Sequence, residues 1–163
     1  NKTKNIVIVQ KVEIDLKDPL FNQTLLTLAI VNNKRNSFLE LLDAGANSNV
    51  LVGNPEDSTP FINAIQNVEN CDLFFVENML NHGANPNLEI KNPQPEYFFM
   101  NSFPLLVAIG NQLNPCLDLI KLLVDNGADI NCCYQQSYSD VCEGVLAKAI
   151  TLKDMETLNM PIT

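Results

Sequence analysis

The sequence predicts an all-α chain, a solenoid of stacked helix-turn-helix units, on three observations. A phrase of the form Gly-Ala-Asx-x-Asn occurs three times, beginning at Gly45, Gly83 and Gly127, so that copies are 38 and 44 residues apart. A shared opening lies upstream of each: Thr24-Leu25-Leu26-Thr27-Leu28-Ala29-Ile30, Thr59-Pro60-Phe61-Ile62-Asn63-Ala64-Ile65 and Phe103-Pro104-Leu105-Leu106-Val107-Ala108-Ile109, with a weaker fourth copy over 144–150. Between the two runs an apolar stripe three, four and seven residues before the glycine: Leu42, Leu41 and Phe38; Leu80, Met79 and Val76; Val124, Leu123 and Ile120. A unit of this size cannot bury its own hydrophobic face, and stacking copies of it does.

Each part of the unit has a local reason. Proline opens the first helix in two copies, where a missing N–H removes no hydrogen bond, and Thr59 before it can cap the orphan amides of the first turn. Alanine at the sixth position of the opening (29, 64, 108 and 149) lets a neighbouring helix approach closely. The stripe has the period of a helix that buries one face. Glycine then stands where a helix ends on a left-handed residue, a conformation that a β-carbon penalises.

These two elements together resemble the ankyrin repeat, whose signature is a Thr-Pro-Leu-His-x-Ala opening and a Gly-Ala-Asp-x-Asn close, over roughly residues 12–152. The resemblance implies one repeat domain over 1–163 with β-hairpin-like fingers between helix pairs. Its divisions are 1–18 as the tail of a preceding repeat or an N-cap, 19–53, 54–97, 98–138, and 139–163 as a partial repeat or C-cap. No copy has histidine at the fourth position, where Thr27, Ile62, Leu106 and Ala147 stand. From alanine to glycine the first repeat runs 16 residues and the next two 19, so the later units carry extra turn or helix. Asp15 falls at the closing-asparagine position of the tail before repeat one. That tail, the Asn1 start and Pro161 in the last repeat point to a fragment or to atypical caps.

Composition narrows the partners. A net charge of −9 with a single arginine, Arg35, leaves no basic stripe for phosphates, so neither nucleic acid nor an anionic membrane surface is expected. The longest apolar run, Leu25 to Val31, is too short to span a bilayer, and Ile6 to Val9 is too short for a signal-peptide core. Five cysteines, at 71, 116, 132, 133 and 142, form no pairwise framework, which predicts free thiols in a reducing, cytoplasmic compartment. Cys132, Cys133 and Cys142 lack the two-to-four-residue ligand separation of a zinc site, and with one histidine no metal and no cofactor is expected.

Catalytic chemistry finds no foothold either. The one histidine, His82, directly precedes Gly83, where an imidazole caps the last carbonyls of a helix. It belongs to a different repeat from Cys116, Cys132, Cys133 and Cys142, while Cys71 is expected at the start of a second helix. Asp57, Asp72, Asp118 and Asp154 fall near helix starts, where carboxylates cap amides. No glycine-rich phosphate loop is present, and the chain is expected not to be an enzyme.

The connections are the informative departures. The runs from closing asparagine to next opening are 10, 16 and 13 residues (Asn49 to Thr59, Asn87 to Phe103, Asn131 to Gly144), against about eight implied by the family resemblance. The longest carries Tyr97-Phe98-Phe99-Met100, either an exposed anchor for a partner or a cluster folded back onto its own base. Tyr134 and Tyr138 lie among glutamines and serines in the next, a mixture suited to adaptable recognition. The expected function is non-catalytic protein binding through a concave surface of fingers and first helices, the third finger contributing most. By the resemblance its contact positions are Leu20, Phe21 and Gln23; Glu56 and Ser58; Phe99, Met100 and Ser102; Asp140, Val141 and Glu143; with Val31, Asn32, Gln66, Asn67 and Asn111 at helix ends. The partner is another protein with a basic or neutral surface. Two alternatives are a targeting segment of a larger enzyme or host-delivered bacterial effector, and an inhibitor or immunity protein.

Overall fold

The structure, a computed structural model, describes residues 14–54, 57–90, 103–110, 116–135 and 142–144, with the side chains of the last two strands left aside. It divides into two compact units, Asn1–Asn85 and Pro86–Thr163. The first holds α1 (Leu25–Val31), α2 (Arg35–Asp43), α3 (Pro60–Gln66) and α4 (Phe74–Asn81). The second holds α5 (Pro104–Gly110), α6 (Leu117–Asp125) and an antiparallel hairpin, β1 (Cys133–Gln135) with β2 (Cys142–Gly144). The regular structure among the described residues is therefore helical apart from this short hairpin and two isolated bridges.

Helices pack in sequential pairs, α1 with α2, α3 with α4 and α5 with α6; within the first unit α1 also packs on α3 and α2 on α4. The openings start as their residues dictate. Thr24 Oγ1 accepts from Thr27 N–H at 3.3 Å and Thr59 Oγ1 from Ile62 N–H at 3.1 Å, each satisfying an orphan amide of the first turn. Pro60 takes the first helical position. The fourth-position Thr27 is buried, with its hydroxyl 3.2 Å from that of Thr24.

All three second helices end alike. The amides of Gly45 and Ala46 donate to the carbonyls of Leu42 and Leu41, those of Gly83 and Ala84 to Leu80 and Met79, and those of Gly127 and Ala128 to Val124 and Leu123. That crossed pair is the Schellman motif, and it sets the glycines at φ of +90°, +86° and +87°. No atom lies within 4 Å of where their β-carbons would stand, so backbone conformation alone selects glycine.

The buried stripe departs from its predicted positions in one helix. Phe38 and Leu42 of α2, and Val76 and Met79 of α4, are buried, and Leu41 and Leu80 half-buried. In α6 Leu123 is buried as predicted and Leu119 is buried beside it, whereas Ile120 is half-buried and Val124 is 38% exposed. The buried face has shifted toward Leu119 and away from Val124, with Leu123 common to the predicted and observed stripes. Cys71 does not start a helix: it follows Asn70 in a left-handed turn, at φ +56° and +51°, and α4 begins only at Phe74.

The closing asparagines join successive phrases. Asn49 Oδ1 accepts from Asn85 N–H at 2.8 Å while its Nδ2 donates to Gly83 C=O at 3.1 Å. Asn87 repeats this within the second unit, accepting from Asp129 N–H at 2.7 Å and donating to Gly127 C=O at 2.8 Å. Asp15 accepts from Asn47 N–H at 2.8 Å in the same manner, as expected for a closing position. Asn49→Ala is expected to cost about 1–2 kcal/mol, because two hydrogen bonds go at once. Asn49→Asp keeps the acceptor, loses the donor and should cost about half as much. An unchanged urea midpoint for Asn49→Ala would show the clamp to be incidental.

Candidate binding surface

A short stretch of chain before α1 folds into a rigid turn. Lys17 and Thr24 form an antiparallel bridge, and between them the Asp18 carboxylate accepts the amides of Leu20 at 3.0 Å, Phe21 at 2.7 Å and Gln23 at 2.8 Å. Two main-chain bonds, Asp18 N–H to Gln23 C=O at 2.9 Å and Asn22 N–H to Asp18 C=O at 3.0 Å, close the turn. The amide bonds, that of Phe21 foremost, hold the Asp18 carboxyl below its usual range, so the carboxylate remains ionised and the turn tied. Asn22, left-handed at φ +54°, reaches the next connection: its Nδ2 donates to Gly53 C=O at 2.9 Å and its carbonyl accepts Gly53 N–H at 3.1 Å. That second connection is bridged at Val52 and Ser58, with Val52 wholly buried.

On this frame Leu20 and Phe21 stand 71% and 64% exposed, with Leu51 at 41% and Val31 at 58%. Backbone held by a charge-assisted cage loses little entropy on docking, so exposed apolar side chains carried by it are efficient anchors. The turn residues Asp18, Pro19 and Asn22 carry the sequence signal that the contact positions alone did not convey, since Asp caps amides two and three residues on and Asn tolerates the left-handed region.

The other predicted contact residues divide by what their polar groups already do. Gln23 is half-buried, with Oε1 enclosed and unpartnered. Asn32 and Asn67 are exposed, yet each Nδ2 donates to the carbonyl four residues back, at 2.8 Å and 2.7 Å, sealing the ends of α1 and α3. Ser58 is half-buried and its Oγ accepts from Asn63 Nδ2 at 3.1 Å. Gln66 is exposed, and Glu143 lies on β2 opposite Tyr134. Glu56, Tyr97, Phe98, Phe99, Met100, Ser102, Asn111, Asp140 and Val141 lie outside the described residues.

Arg35 and His82 are engaged structurally. Arg35 pairs with Asp72 and stacks 4.6 Å from the centre of the Phe74 ring. His82 caps α4: Nδ1 lies 2.7 Å from the Asn78 carbonyl and Nε2 3.4 Å from Asp43 Oδ1. The expectation of free thiols throughout is corrected, because Cys71 lies in a disulfide, as does Cys116. Cysteine spacing along a chain does not reveal which thiols the fold brings into disulfides. Cys132 is a free, buried thiol, and burial, then the Asp129 charge, pushes its pKa up. Among the described residues no group of three or more His, Cys, Asp and Glu side chains is placed to hold a metal, and no helix is long and apolar enough to cross a membrane.

Compared with known proteins, the chain matches no family model and no curated protein.

Proposed function

We propose that the chain is an ankyrin-type repeat module that binds a partner protein without catalysis, through its connections and the ends of its first helices. The carrying observation is the pair Leu20 and Phe21, exposed on a turn that Asp18 and the Asn22–Gly53 bonds hold in place. The repeat reading is supported by three identical helix endings and by the asparagine clamps that recur from phrase to phrase. The partner has an apolar cleft with a basic or neutral rim, since the chain carries a net charge of −9. Nucleic acid is a poor partner for a chain with a net charge of −9.

The test uses a partner isolated on the 163-residue chain and then purified. Leu20→Ala combined with Phe21→Ala should weaken binding by about 2 kcal/mol or more, as should alanine at the anchor among residues 97–100. Glu77→Ala and Lys121→Ala, both exposed on second helices, should leave it unchanged. Raising salt should slow association more than it speeds dissociation. Binding that survives every change in the connections and fails with the second-helix variants would overturn the proposed surface.

A further inference from the structure

An open groove of about 470 Å³ runs between α1 and α2, with Leu25, Leu28 and Leu41 along it and Lys34, Ser37 and Glu40 on its α2 side. Internal repetition shows what kind of face this is. Counting from the openings, Leu25 corresponds to Pro60 and Pro104, both buried, yet it is 54% exposed. Leu28 corresponds to half-buried Asn63 and to Val107 at 9%, yet it is 40% exposed. Counting back from the glycines, Ser37 corresponds to Phe75, whose ring meets that of Phe38 on the preceding pair edge to face at 4.8 Å. The groove therefore corresponds to the face by which a later helix pair stacks on its predecessor, and among the described residues nothing covers it.

Its chemistry is self-complementary. Lys34 and Glu40 are both exposed and of opposite sign, and Ser37, small and exposed, lies midway between them in the sequence. Two α2 helices laid antiparallel about a two-fold axis at Ser37 would bring Lys34 of each chain to Glu40 of the other. Such an isologous contact repeats every pairing twice. We propose that this face joins two copies of the chain, with Leu25, Leu28 and Leu41 forming the apolar centre and the Lys34–Glu40 pairs flanking it. The proposal does not rest on the binding function above, whose carrying residues are Leu20 and Phe21, although Asn32 at the end of α1 borders both surfaces.

Sedimentation equilibrium of the 163-residue chain at physiological ionic strength reads it directly. The apparent mass should rise with concentration from 18.1 kDa toward twice that value. Leu28→Glu should hold the protein at the monomer mass. Lys34→Glu or Glu40→Lys alone should raise the dissociation constant about tenfold by opposing like charges, and the double reversal, which leaves net charge unchanged, should restore it. Thermal melts confirm that each variant is folded. A monomer at every concentration, a dimer indifferent to Leu28→Glu, or single reversals that the double fails to rescue would each overturn the proposal.

Discussion

Phe38→Ala is expected to lower the unfolding free energy by about 3–5 kcal/mol, the range for removing a wholly buried phenylalanine. Phe38 has no exposed surface and sits where α2 meets α4, its ring 4.8 Å from Phe75 edge to face and 6.1 Å from Phe74. The Phe74 and Phe75 rings contact each other at 5.3 Å, so truncation leaves two large side chains lining a void that neither can fill without breaking their own pairing. The aromatic contacts add to the burial, at about 0.5–1.5 kcal/mol each. Phe38→Leu should recover most of the loss by filling the volume, which separates packing from ring geometry. Urea titration checks this: the midpoint should fall sharply in Phe38→Ala with the slope preserved. A loss below about 1 kcal/mol would mean that the three rings do not form the core contact between the pairs.

Ala64→Leu is expected to cost about 1–3 kcal/mol, whereas Ala29→Leu, at the same repeat position, should cost less than about 1 kcal/mol. Both alanines are nearly buried, at 1% and 6% exposed. Ala64 belongs to α3, which packs on both α1 and α4, so added methyl groups must displace packed atoms. Ala29 instead lines the open groove, which has room for them. Melting curves at low protein concentration make the comparison. Equal losses would show that the groove is not open in solution, and no loss at Ala64 would remove close helix approach as the reason for alanine there.

Much of the local architecture was readable beforehand because its causes are local. A threonine followed by proline starts a helix through its own hydroxyl, as at Thr59; a glycine after an apolar stripe ends one through its own φ, as at Gly45, Gly83 and Gly127. His82 likewise caps the helix that it terminates. The candidate surface was legible only in part. Leu20 and Phe21 could be named from their position between units, but the Asp18 cage that fixes them depends on three amides meeting one carboxylate. Asn32 and Asn67 looked available for a partner, yet both side chains turn back onto carbonyls of their own helices.

The sequence by itself determined the repeated unit, the helix starts and stops, and the asparagine at each close, because these follow from backbone preferences of single residues and their near neighbours. Tertiary structure decided what those residues touch. It shifted the α6 stripe to bury Leu119 and expose Val124, and it gave Asn49 and Asn87 their clamps on glycine carbonyls 34 and 40 residues away. It placed Cys71 in a disulfide and Cys116 likewise, and it left Leu25 and Leu28 open where their counterparts are more deeply covered. Periodicity reports that a face is apolar, but burial is a relation between two surfaces, and the second surface is brought to the first only by the fold.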